Sequence, residues 1–207
     1  MGRYTGPRNK IARRFGVNLG LKTNPAKVAK RLNQKPGVHG PKSRRGATST
    51  FGRQLEEKQK AKYVYGIREQ QLRRYVNEAT RQTGDSGIHL LQLLESRMDN
   101  VVYRMGFAVT RAQARQLVNH GMFTLNGKKM DIPSHVVQPG DVVELKTNKT
   151  KKKIFEDITD RLSKQDLPSW ITVDAAKKSG KVLNKPTEKD VEHVFDVKFI
   201  IEYFSTR

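Results

Sequence analysis

The sequence has no cysteine, no long apolar segment, and no acidic residue among its first 55 positions. Without Cys, neither a disulfide nor a thiolate metal site can form. The five His residues are scattered without the spacing of metal ligands. No segment approaches the roughly 18 apolar residues of a membrane span. We therefore expect no cofactor, no metal site and no membrane partner.

Positive charge is present in large excess. Lys and Arg number 41 against 20 Asp and Glu, a formal net charge of +21, and residues 1–55 hold 14 of the basic residues. A segment so charged repels itself, whereas binding a polyanion removes this cost and releases counterions. A membrane surface is the rival polyanion, but this segment lacks the sustained apolar face of an interfacial helix. The charge therefore predicts a partner that carries phosphate.

Glycine and proline recur through residues 1–50 and interrupt any long helical pattern. The hydrophobic content of the whole chain, 35%, is modest for its 207 residues. Residues 1–50 are therefore predicted to form a basic N-terminal arm that orders mainly against its partner.

Two helical segments follow this arm. Residues 55–65 form the first, and residues 67–81 form the second, in which Glu69 and Arg73 are an attractive pair one turn apart. Residues 82–87 break the pattern and connect to the next part of the chain. The apolar side of the second helix is predicted to consist of Ile67, Leu72, Tyr75, Val76 and Ala79.

The strongest helical pattern runs from residue 90 to residue 121. Apolar residues recur with helical spacing up to Met105, and Gly106 ends that helix. Thr110 is the predicted N-cap of the following helix, with Gln113 three residues later completing a capping box. Basic residues recur on both helices. Arg97 and Arg104 are seven apart on the first, and Arg111 and Arg115 are one turn apart on the second.

A β-hairpin is predicted after the second helix. The β-prone residues 122–125 and 128–130 flank Asn126-Gly127, the strongest two-residue hairpin signal. A further turn at 139–141 leads into a strand at 142–145. Helices packed on a small sheet form a rigid frame, from which long cationic side chains reach phosphates. The candidates are Arg97, Arg104, Arg111, Arg115 and Lys128.

The C-terminal third is less regular. Residues 146–153 are predicted to be a basic linker and residues 154–162 a helix. The stretch 168–186 is turn-rich, and Trp170 within it is interpreted as a packing anchor because its neighbours are apolar. Residues 194–203 are β-prone and predict a short terminal strand.

The residues between 97 and 141 resemble the S-four RNA-binding module. Its signature has four parts in this order. The first is Arg-Leu-Asp followed by a Gly, and the second is Thr/Ser-Arg-x-x-Ala-Arg-x-x-Val/Ile-x-x-Gly. The third is Val-Asn-Gly and the fourth is Gly-Asp. Met98 departs from the usual Leu, and Leu125 departs from the usual Val. The matching residues are Arg97-Met98-Asp99, Gly106, Thr110-Arg111, Ala114-Arg115, Val118, Gly121, Asn126-Gly127 and Gly140-Asp141.

The rest of the chain resembles the bacterial type of the ribosomal protein S-four family, in the family's order over essentially the full length. Many members carry a zinc-binding Cys cluster near the N-terminus. This Cys-free chain does not, so rRNA contact or local packing must order that segment instead. The segments that carry the resemblance are 1–8, 36–40, 54–60, 65–71, 168–170 and 201–205.

The resemblance implies an α+β fold in which the RNA-binding module is an insertion. A mostly helical rRNA-binding domain would comprise residues 51–92 and 155–207. The inserted module, two short helices on a small antiparallel sheet, would span residues 93–154. The basic arm at 1–50 would extend from the helical domain.

The resemblance also implies a cytoplasmic, structural protein of the small ribosomal subunit that is not an enzyme and has no small-molecule substrate. Such proteins bind rRNA early in assembly at a junction of several helices and nucleate one domain of the subunit. They contact neighbouring small-subunit proteins, including the fifth, and influence decoding accuracy. Some members repress their own mRNA.

The expected RNA contacts combine the basic pattern with this resemblance. The loop that contains Lys42, Arg44 and Arg45 is expected near the path by which mRNA enters the ribosome. The expected rRNA-binding residues are Arg3, Tyr4, Arg8, Lys10, Arg13, Arg14, His39, Arg53, Lys58, Tyr65, Arg68, Arg73, Arg74, Arg97, Arg104, Arg111, Arg115, Asn126 and Lys128.

Two other functions remain possible, because the module is also similar to parts of a tyrosyl-tRNA synthetase, pseudouridine synthases and a heat-shock RNA-binding protein. An RNA-modifying enzyme would need a catalytic Asp in the C-terminal part, and the sequence has no GxxxxGK[ST], GxGxxG or HExxH motif. An accessory factor that binds free large-subunit RNA would explain the module, but not the long basic arm.

Overall fold

The structure, a computed structural model, describes residues 4–40, 48–150, 152–163, 166–191 and 194–205. The chain divides into two compact units: Met1–Leu90 together with His193–Arg207, and Leu91–Glu192. The fold is α+β, as predicted, because the helices of the first unit are followed by a second unit with an antiparallel sheet.

The regular secondary structure described in the first unit consists of helices joined by turns and loops. Helices α3 and α4 confirm the two predicted helical segments, and α3 is one turn longer than predicted because Ser49 caps it through a bond from the Gly52 amide. The apolar side predicted for α4 is buried. The helices of this unit are α1 (Arg8–Phe15), α2 (Pro25–Ala29), α3 (Thr50–Val64), α4 (Glu69–Arg81) and, after the second unit, α9 (Val197–Ser205).

Several apolar residues in the described part of the N-terminal arm are buried. Ile11 and Phe15 on α1 are buried, as are Leu19 and Val28 beyond it, and the Phe15 ring lies 6.1 Å from that of Tyr63. The Gly and Pro pattern predicted an arm that orders mainly against its partner. The burial of these four apolar residues shows that packing within the chain also contributes to the order of residues 4–40, and ordering against a partner stays a prediction.

Helix α9 replaces the strand predicted at 194–203. Ile200 and Tyr203, three residues apart, are its buried residues, and the ring of Tyr203 stacks 5.8 Å from that of Phe51 on α3. Local β propensity is a weak preference that tertiary packing overrides. Here the apolar residues bury better at helical spacing against α3.

Three helices lie at the start of the second unit, where the pattern predicted two, and the first of them begins in the last residues of the first unit. The apolar stretch 90–105 is split into α5 (Ser86–Glu95) and α6 (Met98–Arg104), which precede α7 (Arg111–Asn119). Between α5 and α6, Arg97 adopts an extended conformation (φ −65°, ψ 139°) and forms an isolated β-bridge with Val136. Backbone bonds from Met98 to the His135 carbonyl and from Val137 to the Ser96 carbonyl fix this break.

The ends of α7 confirm the predicted signals. The Thr110 hydroxyl accepts a hydrogen bond from the Gln113 amide, and the Gln113 side chain accepts one from the Val109 amide instead of that of Thr110. Gly106 (φ 86°) follows the end of α6 and Gly121 (φ 60°) follows the end of α7. Both have the left-handed conformation, which glycine adopts without strain.

The sheet has five antiparallel strands within the described residues, in the order β2-β1-β3-β5-β4. The Asn126-Gly127 turn joins β1 (Phe123–Leu125) to β2 (Lys128–Met130), and both turn residues have positive φ, as a type I′ turn requires. The turn ending at Asp141 leads into β3 (Val142–Leu145), as predicted. The predicted helix at 154–162 is a 3-10 turn, Lys153–Phe155, followed by α8 (Ile158–Ser163).

Two strands occur where the sequence predicted only turns. They are β4 (Ile171–Asp174) and β5 (Ser179–Val182), and β5 pairs with β3 so that Gly180 lies opposite Val143. A Cβ on Gly180 would lie 2.6 Å from the buried Met105 sulfur, so a larger residue at this position would require the Met105 side chain to move. Glycine and lysine have low β propensity, so β5 could not be predicted from its residue types.

These strands change the division of the chain. Residues 155–192 were placed with the helical domain, but the structure groups them with the module in the unit Leu91–Glu192. Phe155, Ile158 and Trp170 share one buried core with Met98, Phe123 and the other apolar residues of the module. The insertion predicted by the resemblance is therefore longer at its C-terminal end than residue 154.

Trp170 is the largest of the fully buried side chains of this core, which confirms its interpretation as a packing anchor. We predict that Trp170→Ala lowers the free energy of unfolding by about 3–5 kcal/mol, because a large apolar side chain is lost from a closed core. Urea denaturation followed by far-UV circular dichroism measures this, since the variant has no tryptophan fluorescence. Leu167→Ala, three residues earlier and 37% exposed, is the control. Equal denaturation midpoints for the two variants would contradict the assignment.

Candidate nucleic-acid interface

Four arginines of the second unit surround two buried carboxylates. Glu95 ends α5 and Asp99 lies in the first turn of α6, and both are almost completely buried. A buried carboxylate requires a cationic partner and hydrogen bonds, because the loss of hydration is otherwise too costly. We call the set Glu95, Arg97, Asp99, Arg104, Arg111 and Arg115 the arginine cluster.

Glu95 is bound mainly by Arg104. The Nε and Nη2 atoms of Arg104 donate to the two carboxylate oxygens over 2.9 and 3.2 Å, a bidentate pairing. The Asn100 amide donates to the same carboxylate over 2.7 Å and to the backbone carbonyl of Glu95 over 2.9 Å. The Nη2 atom of Arg111 lies 3.9 Å from Oε1 of Glu95, the oxygen that also accepts from Nη2 of Arg104.

Asp99 is bound mainly by Arg97. The Nε and Nη2 atoms of Arg97 donate to the two oxygens of Asp99 over 3.0 and 2.8 Å. Arg115 reaches one of these oxygens from α7, with its Nη1 atom 3.5 Å away. The carboxylate thus ties the break between α5 and α6 to α7.

This arrangement corrects the predicted RNA contact of Arg97 and shows that Arg104 is mostly buried. The side chain of Arg97 is fully buried, so Arg97 is a core residue and has no surface to offer a phosphate. Arg104 is 11% exposed and pairs bidentately with Glu95. The sequence pattern placed both on one side of a continuous helix, whereas the break at Arg97 turns its side chain into the core.

Arg111 and Arg115 are the two members of the cluster on α7. The side chain of Arg115 is 29% exposed and that of Arg111 is 11% exposed. The Nε atom of Arg111 donates to the Asn100 side chain over 2.8 Å, and its guanidinium carbon lies 4.5 Å from the centre of the Tyr103 ring. These contacts hold the guanidinium of Arg111 in one orientation.

The formal charge of the cluster is +2, since four arginines surround two carboxylates. This excess does not depend on how the groups are paired. The cluster as a whole therefore carries a net positive charge that attracts an approaching anion.

Sequence reasoning missed Asn100 and Tyr103. One signal was present: Asp99 and Asn100 interrupt an apolar run on a helix that was predicted to be buried. Two adjacent polar residues in such a position require buried partners. Their partners, on α5 and α7, could not be identified from spacing alone.

The hairpin supplies two exposed cations, the predicted Lys128 and its neighbour Lys129, which pairs with Asp131 over 3.0 Å. Asn126 is exposed too, but its side chain donates to Asp141 over 2.7 Å and accepts from the Val142 amide over 2.9 Å. Asn126 therefore ties the hairpin turn to β3, and its polar atoms are used for that purpose.

In the first unit, most of the predicted contacts lie at the surface. Two arginines instead brace the arm: Arg8 donates to the Leu21 carbonyl over 3.0 Å, and Arg13 donates to the carbonyls of Gln34 and Lys35, each over 3.0 Å. The predicted residues that are exposed are Tyr4, Lys10, Arg14, His39, Arg53, Arg68, Arg73 and Arg74.

Two predicted contacts of the first unit are buried. Lys58 on α3 is 3% exposed, and its ammonium group pairs with Glu69 and lies 4.0 Å from the centre of the Tyr203 ring. Tyr65 is 4% exposed, with its ring 6.1 Å from that of Phe195. Both residues join the helices of the unit, so neither has a surface for direct RNA contact.

Glu69 pairs with Lys58 and Lys62 on α3, whereas the sequence predicted a pair with Arg73. Burial raises the pKa of Glu69, but the hydrogen bond and charge of Lys58 and the charge of Lys62 outweigh this effect, so the pKa is lowered overall from 4.5. The ionised carboxylate therefore stabilises the contact between the two helices.

Four predicted residues lie outside the described part of the chain: Arg3, and the three residues expected near the path of incoming mRNA, Lys42, Arg44 and Arg45. Among the residues that the structure does describe, no group of His, Asp and Glu is arranged to hold a metal ion. The described helices include none with the length and apolar character to cross a membrane.

The fold and the cluster define a class of protein: a rigid helical frame with fixed guanidinium groups and a strongly basic first unit, suited to binding a polyphosphate backbone. Comparison with known families agrees. The family described as "Ribosomal protein S4/S9 N-terminal domain" matches residues 3–95, and the "S4 domain" matches residues 96–143.

Three relatives with the name small ribosomal subunit protein uS4 align over 99% of this chain and 100% of their own length. The identity is 48% over 210 residues for the protein of Herpetosiphon aurantiacus, 46% over 207 for that of Persephonella marina, and 44% over 206 for that of a Sulfurihydrogenibium species. The chain therefore belongs to the uS4 family of small ribosomal subunit proteins.

Membership confirms the resemblance drawn from the motifs. The chain is a ribosomal protein and not an enzyme, so the RNA-modifying alternative is excluded, and the match of residues 3–95 accounts for the arm that an accessory factor left unexplained. As a ribosomal protein of a bacterial family, it is cytoplasmic.

The Lys58–Glu69 pair predicts how stability depends on pH. Because the pKa of Glu69 is lowered in the folded state, its contribution is fully present above its ordinary value of 4.5 and is lost as the pH falls through the lower, folded-state pKa. We predict that Glu69→Gln is less stable than the parent at pH 7, and that this difference shrinks progressively below pH 4.5.

Melting temperatures measured by circular dichroism from neutral to acid pH provide the test. Glu78→Gln removes a carboxylate from an exposed position of the same helix and is the matched control. A difference between Glu69→Gln and the parent that stays constant with pH would show that the pairing with Lys58 contributes nothing.

Proposed function

We propose that this structural constituent of the small ribosomal subunit binds small-subunit rRNA directly, through phosphates, at a junction of several RNA helices. The observation that carries the proposal is the +2 net charge of the arginine cluster, held on the rigid frame of α5, α6 and α7. A cluster with net positive charge attracts phosphate oxygens, and Arg115, whose side chain is 29% exposed, is its most accessible member.

Recognition by backbone and shape follows from the chemistry of RNA. The major groove of an A-form helix is too narrow for side chains to read base edges, so folded RNA is recognised largely by shape and by phosphate contacts. A rigid frame suits this task, because the spacing between fixed cations then selects one spacing of phosphates.

The first unit adds most of the long-range attraction. Its first 62 residues carry 17 Lys or Arg and 2 acids, and the exposed cations include Lys10, Arg14, Arg53, Arg68 and Arg74. Such a field speeds the encounter with RNA and lowers the free energy of the complex by releasing counterions. Arg8 and Arg13 support this surface from within.

Family membership supports finer roles as part of the same proposal. Binding at an rRNA junction early in assembly would nucleate one domain of the subunit, with contacts to neighbouring small-subunit proteins, including the fifth, that influence decoding accuracy. Lys42, Arg44 and Arg45 would lie near the path of incoming mRNA. Repression of the protein's own mRNA would use the same RNA-binding surface.

The role of α7 is tested by Arg111→Gln combined with Arg115→Gln. If each arginine contacts one phosphate, the slope of log affinity for small-subunit rRNA against log salt concentration falls by about two, and affinity falls with it. Filter binding over a salt series measures both quantities. Far-UV circular dichroism should remain unchanged, because the apolar side of α7 is intact.

The matched control is Lys177→Gln combined with Lys181→Gln, which removes the same charge from exposed positions of the same unit. We expect the control to retain most of the affinity. An equal loss in both double variants would mean that only the net charge of the unit matters, and an unchanged slope in the arginine variant would contradict phosphate binding at α7.

A further inference from the structure

We propose that a cavity between α1 and α3 in the first unit is a pocket for a single unstacked nucleotide of the bound RNA. This inference rests on the proposed function, since it specifies how part of the first unit engages RNA. The residues that would bind this nucleotide line the cavity and do not belong to the arginine cluster.

The cavity has the size of a small-ligand site. Its volume is about 820 Å³, within the usual range of such pockets. Residues of α1 and α3 form its walls, and Lys35, Pro36 and Thr48 complete its lining. A volume of this size is large enough for one nucleotide.

The charge of the lining favours a phosphate. Lys10 and Arg14, one turn apart on α1, contribute two exposed cations, and Lys35 and Lys62 contribute two that are half-buried. The only acid in the described lining is Glu56. Lys62 also lies 3.4 Å from Glu69, so the exposed pair on α1 is the better candidate for the phosphate.

Aromatic rings in the same cavity favour a base. The Tyr63 ring lies 5.7 Å from that of Tyr4 at an angle of 80°, and the buried Phe15 supports it from 6.1 Å. Tyr4 remains 44% exposed although it packs on Tyr63. Exposed aromatic rings beside cations are the combination that proteins use to stack single bases.

Two polar side chains of α3 could distinguish bases. Glu56 and Gln59, three residues apart on one side of the helix, line the cavity. A carboxylate accepts hydrogen bonds from an exocyclic amino group, which adenine, cytosine and guanine have and uracil lacks. The pocket should therefore prefer a base with an amino group.

The binding test uses the full chain and a uridine-rich RNA hexamer with 2-aminopurine at its centre, whose fluorescence falls when the base stacks. We expect quenching on binding, competition by the matching hexamer with central adenosine, and weaker competition by all-uridine RNA. The same hexamer annealed to its complement should give no quenching, because its central base is already stacked and paired.

Two pairs of variants separate the pocket from general charge. Lys10→Gln with Arg14→Gln should weaken binding of the hexamer about tenfold more than Lys22→Gln with Lys27→Gln, which removes equal charge from exposed positions of the same arm. Tyr4→Leu should weaken binding without changing its salt slope, and Tyr4→Phe should retain binding, because the ring provides the contact.

Three results would overturn the pocket: equal losses in the two charge variants, no quenching at full binding, or equal competition by adenosine and uridine hexamers. If rRNA binding persists in these cases, only the pocket is wrong. If the parent chain binds neither rRNA nor the hexamer, the proposed function fails as well. Binding of free adenosine monophosphate as tightly as the hexamer would also refute an RNA-borne ligand.

Discussion

The second unit depends on the neutralisation of two carboxylates inside it. Glu95 and Asp99 are buried where an unpaired charge would cost several kcal/mol, so each requires an arginine with bidentate geometry. Arg104 and Arg97 meet this requirement, and the chain opens into an extended conformation at Arg97 to allow it. The remaining two arginines, on α7, share the same acids at longer distances. The network thus fixes the fold and carries a net positive charge of +2 over its six residues.

Local signals predicted the parts of this unit that local chemistry determines. Thr110, Gly121 and Asn126-Gly127 act within a few residues of themselves, and the structure has the predicted cap, helix end and turn at these positions. Arg97 is turned into the core where the chain breaks its helix and bridges to the distant Val136, and such a long-range contact leaves no periodic trace, so its burial could not be predicted. Strand β5 was missed because Gly180, which packs against the distant Met105, has low β propensity. The C-terminal helix was missed because packing on α3 overrides a β-prone sequence.

In the first unit, charge predicts the kind of partner, whereas packing determines which cations are exposed to it. Its excess of Lys and Arg by itself indicates a polyanionic partner, and membership in the uS4 family agrees. Charge alone could not separate cations that face solvent from those that hold the unit together. Arg8, Arg13 and Lys58 belong to the second group, since carbonyl oxygens, a carboxylate and an aromatic ring bind them. Internal use of some cations gives the remaining ones fixed positions, which shape-selective binding of RNA requires.

The absence of cysteine makes the central claim directly measurable. Gln116 is exposed beside Arg115, and Gln116→Cys gives the chain a single thiol to which an iron chelate can be attached. Hydroxyl radicals generated there cleave only nearby RNA. We predict strong cleavage confined to a few segments of small-subunit rRNA, lost when Arg111 and Arg115 are both replaced by Gln. An intact complex that shows no cleavage from position 116 would contradict the claim that α7 holds the RNA backbone.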